Sequence, residues 1–169
     1  MTISAINADG SLTLTSPLQY THYGASFLTI SNQYGTLDAR TRVGHINRNI
    51  KIVPGPDAGW GFTVIVYGYK DGDILRIGNV NLDGVQFADG GQLDTLNAPL
   101  TFINTVNGNL TSSVTASSFV NCKADCIYIQ NGRNITIDNN VFYNAWVIAV
   151  EANNVKSVAI TNNLIIGVY

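Results

Sequence analysis

Two stretches near the C-terminal end repeat one another: Asn134-Ile-Thr-Ile-Asp-Asn-Asn-Val-Phe-Tyr143 and Ser157-Val-Ala-Ile-Thr-Asn-Asn-Leu-Ile-Ile166. Alternating apolar residues at the start of each predict a strand with one buried face. The Asn pair that follows predicts a corner, because Asn tolerates the left-handed backbone region. An apolar residue then returns the chain to the core. A strand-corner-strand unit that recurs in this way predicts a fold built from repeats.

The same pattern occurs twice more towards the N-terminus. Ser113–Asn121 has its corner at Ser117-Ser118, and Asn79–Phe87 has its corner at Asp83-Gly84. The starts of the last three copies lie 21 and 23 residues apart. The preceding step is longer and predicts an insertion of about a dozen residues beyond one repeat. A second strand in each of the later repeats is predicted around Tyr128 and Ala149.

These repeats predict an all-β protein, specifically a right-handed parallel β-helix: a solenoid with coils of about 21–23 residues in a single domain over residues 1–169. A leucine-rich repeat needs more regular Leu, and a β-sandwich does not give matching corners at one spacing. Asn residues of successive coils are expected to stack and share amide hydrogen bonds. Further strands are predicted at Ser11–Leu14, Phe27–Ile30, Asn49–Ile52, Phe62–Tyr67 and Ile74–Ile77.

The composition agrees with an all-β chain and excludes some partners. Charged residues make up 12% and hydrophobic residues 46%, and Glu occurs once, at Glu151, so the residues that usually coat helices are scarce. A net charge of -2 with scattered basic residues argues against nucleic-acid binding. The apolar runs are too short to span a membrane. No signal peptide is visible at the start, which does not exclude export.

The last residues, Leu164–Tyr169, end in the middle of a predicted coil and carry no polar cap. An uncapped solenoid exposes apolar surface and unpaired strand edges. We therefore expect a piece of a longer protein, or a filament subunit that associates end to end with its own copies.

Cys122 and Cys126 are compatible with two states. In an oxidising compartment they would form a disulfide that closes a small loop, and otherwise they would be two buried thiols. The sequons at Asn109 and Asn134 are candidate glycosylation sites and favour an extracellular or cell-surface location.

Several segments resemble fibrocystin-like proteins. The stretch Asp38-Ala-Arg-Thr-Arg-Val-Gly-His-Ile-Asn-Arg-Asn-Ile50 is similar to a family segment "D-x-R-A-E-V-G-L-L-T-R-N-I", and Leu18-Gln-Tyr-Thr-His-Tyr-Gly24 to "L-x-Y-x-H-x-G". Phe87–Gln92 and Pro99–Phe102 fall where the family has "G-Q" and "P-I-H-F-H". This family combines a G8 domain with parallel β-helix (PbH1) repeats and is related to cell-surface hyaluronidases. The resemblance implies the β-helix and an extracellular setting.

The departures from that family bear on activity. Thr101 and Ile103 stand where the family segment has two histidines, and Arg42 stands where it has Glu. If those positions contribute to polysaccharide cleavage in the degrading members, this chain has lost them. The preceding G8 module is also missing from this sequence.

Five residues are candidates for catalysis if the protein is an enzyme: Arg40, His45, Asp83, Asp89 and Asp94. Carboxylates are the groups that glycoside hydrolysis needs, and a His near an Arg can act as a general base. The competing interpretation is that each Asp stabilises its own turn. Asp71-Gly-Asp73 offers two oxygen ligands for Ca²⁺ but is better explained as a hairpin turn. No metal site or other cofactor is predicted.

Two functions remain open at this point. The first is an extracellular structural β-helix module of a surface filament, glycocalyx or adhesive assembly. The alternative is a polysaccharide-degrading hydrolase or lyase acting on a hyaluronan-like or pectin-like substrate. Binding of carbohydrate without cleavage is a third possibility, since four aromatic residues could stack on sugar rings or pack in the core. They are Trp60, Trp146, Tyr67 and Tyr69.

Overall fold

A computed structural model describes residues 2–22, 24, 28–31, 35–37, 40–57, 59–106 and 109–169, with the backbone alone described over 28–31 and 35–37. All regular elements of these residues are β-strands, so the prediction of an all-β protein is confirmed. The described residues contain no helix of the length and hydropathy that crossing a bilayer requires. The chain divides into two compact units, Met1–Val43 and Gly44–Tyr169.

The first unit contains two antiparallel strand pairs. Its strands are β1 (Ile3–Ile6), β2 (Leu12–Leu14), β3 (Leu28–Ser31) and β4 (Gly35–Leu37). In the turn between β1 and β2, the backbone N–H and the hydroxyl of Ser11 donate to Asp9 Oδ1 at 2.9 and 2.7 Å. These hydrogen bonds lower the pKa of Asp9. Of the sequence predictions, β2 and β3 match two strands, while Phe27 and Asp38 lie outside the described residues.

The second unit contains the other described strands. They are β5 (Ile50–Ile52), β6 (Val64–Asp71), β7 (Ile74–Ile77), β8 (Asn81–Asp83), β9 (Val85–Ala88), β10 (Leu100–Ile103), β11 (Ser112–Thr115), β12 (Ser118–Cys122), β13 (Ile127–Gln130), β14 (Arg133–Asp138), β15 (Val141–Ala145), β16 (Val150–Asn153), β17 (Lys156–Thr161) and β18 (Leu164–Val168). Only β6 and β7 pair antiparallel among them, as a hairpin whose turn contains Gly72, as the sequence predicted.

Three parallel sheets form the second unit. Their strand orders are β6-β10-β13-β16, extended at one edge by β7, then β8-β11-β14-β17, and β5-β9-β12-β15-β18. From β8 onwards the chain visits the sheets in turn and adds one strand to each before it returns to the first. Each inner strand therefore hydrogen-bonds to the strand one round before it and to the strand one round after it.

The register corrects the predicted repeat length and one corner. Ser117 aligns with Asn140, and Asn140 with Asn163, each a step of 23 residues. Earlier rounds are longer, at 27 residues between Asn104 and Asn131 and 32 between Asn81 and Ser113. The predicted step of 21 came from aligning the copy at Ser113 two residues out of register. The corner of that copy is consequently Ala116-Ser117, because Phe119 pairs with Phe142.

The core of the second unit lies between the three sheets and is built from matching positions of successive strands. Four phenylalanines form one column, with ring centroids 6.2 Å apart for Phe62–Phe87, 4.8 Å for Phe87–Phe119 and 5.1 Å for Phe119–Phe142. Leu100 and Ile127 lie in a second column, and both are fully buried. Parallel stacking places like residues above one another at about 4.8 Å per strand.

The segment before β5 covers the outside of one sheet, and we name residues 44–49 the strap. Its side chains alternate: Gly44, Ile46 and Arg48 are partly buried, while the intervening residues are exposed. The Ser118 hydroxyl donates to the carbonyl of Ile46, and Arg48 Nε donates to the carbonyl of Ala116 at 2.6 Å. Burial lowers the pKa of Arg48. The strap lies within the segment 38–50 that resembles fibrocystin-like proteins.

Candidate functional site

A row of polar side chains, which we name the outer ladder, runs across three strands of the β5–β18 sheet. It consists of Asp89, Asn121 and Asn144. Asn144 Nδ2 donates to Asn121 Oδ1 at 2.7 Å, and Asn121 Nδ2 donates to Asp89 Oδ1 at 3.1 Å. All three residues have a positive φ, between 54° and 62°, which Asn and Asp adopt more readily than other side chains. The ladder residues therefore occupy equivalent positions in successive rounds.

An open groove of about 570 Å³ lies beside the outer ladder. Besides the ladder, its lining includes Trp146, Lys123 and Leu93. Trp146 is 57% exposed and Leu93 is 50% exposed, so two large apolar side chains face solvent here. The groove thus combines an exposed aromatic face, a line of amide and carboxylate groups, and one ammonium group.

A disulfide joins Cys122 to Cys126, whose Cα atoms lie 5.3 Å apart, and Cys122 contributes to the groove wall. The loop that it closes is held on both sides by backbone hydrogen bonds. Lys123 N–H donates to the carbonyl of Gly90, and Trp146 N–H donates to the carbonyl of Cys122. The disulfide loop therefore fixes the backbone from which Lys123 and Trp146 project.

The same loop contains one half of a carboxyl pair. Asp125 is 6% exposed, and its side chain is hydrogen-bonded to Glu151 on β16. Burial, the hydrogen bond with Glu151 and the repulsion from its charge raise the pKa of Asp125 to about 7, against the backbone N–H of Ile148, which lowers it. Glu151 Oε1 also accepts a hydrogen bond from Asn153 Nδ2 at 2.6 Å. Asp125 therefore keeps its proton to a higher pH than an ordinary Asp does.

A pair of carboxyl groups that shares a proton can act as an acid and a base. Neither Asp125 nor Glu151 lines the groove, however. The pair is therefore placed to hold the disulfide loop against β16 rather than to contact a ligand in the groove. No signal in the sequence linked these two residues, which are separated by a complete round of strands. The nearest hint was that Glu151 is the sole Glu of a chain poor in charge.

The predicted carboxylates do not converge. Asp83 ends β8 and accepts a hydrogen bond from Thr115 Oγ1 at 2.9 Å, whereas Asp89 lies beyond the far end of β9 in the outer ladder. The four residues of β9 separate them by roughly 13 Å. Asp94 is exposed in the following loop and does not line the groove. Asp83 and Asp89 each accept a hydrogen bond from a side chain of the next round, so these contacts do not test the competing interpretation that each Asp stabilises its own turn.

The two basic candidates belong to different units. His45 is exposed on the strap, and Arg48 Nη1 donates to the His45 backbone carbonyl rather than to its imidazole. Arg40 belongs to the first unit, Met1–Val43. The described residues thus place His45 and the three Asp candidates in no common pocket.

The remaining predicted positions have distinct surroundings. Asp71 pairs with Arg76 at 3.4 Å, and among the described residues no three His, Cys, Asp or Glu side chains gather to hold a metal ion.

The two sequons differ in exposure: Asn109 is exposed, and Asn134 is half-buried at a positive φ of 54° in β14. Tyr67 and Tyr69 are half exposed on β6, with parallel rings 6.2 Å apart.

The fold and the groove define an all-β protein of stacked parallel strands with a polar ladder on its surface. A stretch of 62 residues, 36% of the chain, is 44% identical to human Fibrocystin-L. The chain spans about 1% of the length of that relative. This similarity supports a fibrocystin-like relationship. No family model matches the chain, and no solved structure matches it.

Proposed function

We propose that the second unit is a right-handed parallel β-helix, and that it serves as a structural module of an extracellular, fibrocystin-like surface protein. The observation that carries the proposal is the stacking of equivalent strands in three parallel sheets, with matching side chains in register. Each round buries its apolar face only against its neighbours, which produces an elongated, rigid element suited to a filament, glycocalyx or adhesive assembly.

The disulfide and the exposed sequon support the extracellular part of this proposal. Disulfides persist in oxidising compartments, and Cys122 and Cys126 are well placed to form one. Asn109 is exposed in a loop, where an attached glycan would not disturb a strand. The PbH1 repeats and the G8 context of the fibrocystin-like family belong to the same proposal.

A test of the structural role is to incubate the purified, oxidised chain with hyaluronan and with pectin and to measure new reducing ends and unsaturated products. We expect no turnover, because the predicted catalytic carboxylates are far apart and the family histidines are replaced by Thr101 and Ile103. Turnover above that of a heat-denatured sample would overturn the structural role.

The second candidate function, cleavage of a polysaccharide, is favoured by one observation, the carboxyl pair Asp125–Glu151. If turnover occurs, Glu151→Gln should abolish it, since the substitution removes the base but keeps the shape. Asp57→Asn, at an exposed carboxylate that is not a catalytic candidate, is the matched control and should leave the rate unchanged.

A further inference from the structure

The groove beside the outer ladder has the chemistry of a carbohydrate site, which goes beyond the structural role proposed above. Its volume of about 570 Å³ lies within the range of small-molecule sites, roughly 300–1,000 Å³. Trp146 is 57% exposed although it is the kind of residue that a chain normally buries. An indole face presents an apolar surface on which the C–H groups of a sugar ring can stack.

The ladder supplies the complementary polar groups. A side-chain amide carries two N–H donors and one carbonyl acceptor, and the bond to the neighbouring rung uses only one N–H of Asn121 and one of Asn144. Among the described residues, the second N–H of each amide and the second oxygen of Asp89 have no further partner, and all three residues line the groove. Sugar hydroxyls are both donors and acceptors, so they match a row of mixed amide and carboxylate groups.

The site is also rigid before any ligand binds. The ladder side chains hold one another by hydrogen bonds, and the Cys122–Cys126 disulfide fixes the loop that carries Lys123. Preorganised groups lose little entropy on binding, which matters for a flexible, strongly hydrated ligand such as a sugar. Because the rungs repeat at about 4.8 Å along the stack, the groove suits a linear chain better than a single sugar.

We propose that this groove binds a linear polysaccharide along the outer ladder, with Trp146 stacking on a sugar ring and Lys123 accommodating a carboxylate where the sugar carries one. Two sources share this chemistry: an anionic chain such as hyaluronan and a neutral chain such as a cello-oligosaccharide. Lys123 distinguishes them, because an ammonium group strengthens only the binding of an anion.

The experiment is titration calorimetry of the oxidised chain with hyaluronan oligosaccharides and, separately, with neutral cello-oligosaccharides. Wild type should bind at least one of them, and Trp146→Ala should weaken that binding about tenfold. Trp146→Phe should restore most of it. Tyr169→Ala is the matched control, because Tyr169 is an exposed aromatic residue, 77% accessible, that does not line the groove. Unchanged thermal unfolding would establish that Trp146→Ala folds.

The substitution Lys123→Gln then distinguishes an anionic polysaccharide from a neutral one. Salt-dependent binding of hyaluronan that Lys123→Gln weakens assigns an anionic chain, whereas binding of the neutral sugar without binding of hyaluronan assigns a neutral one. Absence of binding to both probes overturns the proposal, as does binding that Trp146→Ala leaves intact. Cleavage of the bound sugar would overturn the structural function while leaving the binding groove in place, so the two failures are distinguishable.

Discussion

At the scale of single residues, the corners are stabilised by side chains that replace missing backbone hydrogen bonds. Asn140 is the clearest case, since it is 1% exposed. Its Oδ1 accepts from the backbone N–H of Ser117 at 2.9 Å, and its Nδ2 donates to the carbonyl of Val114 at 2.9 Å. The side chain therefore joins two backbone groups of the preceding round, at a point where the chain turns from one sheet to the next.

We predict that Asn140→Ala lowers the free energy of unfolding by about 3 kcal/mol, because it leaves two buried backbone groups without partners. Urea unfolding monitored by Trp fluorescence would measure the change. Thr136→Ala, at an exposed position of the preceding strand β14, is the control and should change stability by less than about 0.5 kcal/mol. Equal effects of the two substitutions would contradict this role of the buried amide.

Asp125 gives the protein a specific pH dependence. Its pKa is about 7 in the folded protein, above the ordinary Asp value of 3.8, so the folded state binds more protons between these values. Stability from this group is therefore fully present below pH 4 and falls as the pH rises towards 7. The loss should be on the order of 2 kcal/mol, after allowance for solvent screening.

Asp125→Asn retains the shape of the protonated side chain and should remove this fall. Urea unfolding at pH 5 and pH 8 would measure it in wild type, in Asp125→Asn and in the exposed control Asp94→Asn. We expect Asp94→Asn to show the wild-type difference between the two pH values. If Asp125→Asn also retained it, the carboxyl pair would not be its source.

At the scale of elements, the sequence predicted where strands and corners lie better than it predicted the register between strands and the side-chain contacts between rounds. The repeated Asn pairs indicated the corner positions, because a left-handed backbone leaves few alternatives to Asn and Gly. The register of Ser113 was wrong, since Phe119 occupies the Phe column and so shifts the corner by one residue. The Asp125–Glu151 pair was not predictable, because it joins a disulfide loop to a strand of the next round. The hydrophobic periodicity of a short segment indicates which residues share a face, but not which residues of different rounds are in contact.

The strap was recognised in the sequence by its resemblance to a family segment, which did not explain why a glycine stands at position 44. The structure explains it, because a Cβ added at Gly44 would lie 2.9 Å from Leu164 Cδ2 and 2.9 Å from Val141 Cγ1. Any side chain at this position must push the strap off the sheet or displace both neighbours.

We accordingly predict that Gly44→Ala destabilises the chain by about 1–3 kcal/mol through this overpacking. Gly55→Ala is the matched control, because an added Cβ there meets no atom within 4 Å. Thermal unfolding of both variants would measure the difference. A wild-type melting temperature for Gly44→Ala would show that the strap does not pack tightly against β15 and β18.

At the scale of the whole molecule, stability should vary along the stack. Inner strands such as β12, β13 and β14 pair on both sides, whereas β16, β17 and β18 each have one partner among the described strands. In a fold whose rounds contact only their neighbours, stability is close to a sum of terms for each round and each interface. Opening from an edge then disrupts one interface, and opening from the middle disrupts two.

Amide hydrogen exchange should therefore be slowest in β12–β15 and faster in β16–β18. Side-chain burial supports the same order of exchange rates, because Ile137 on β14 is fully buried. Ile160, its register partner on β17, is 47% exposed. Exchange followed by mass spectrometry over a dilution series provides the control, because exchange within a single chain is independent of concentration. If β17 exchanged slowly at every dilution, the stability of the stack would not be a sum of terms for each round and each interface. If β17 exchanged slowly only at high protein concentration, a second copy of the chain would be pairing with this edge, as a filament subunit requires.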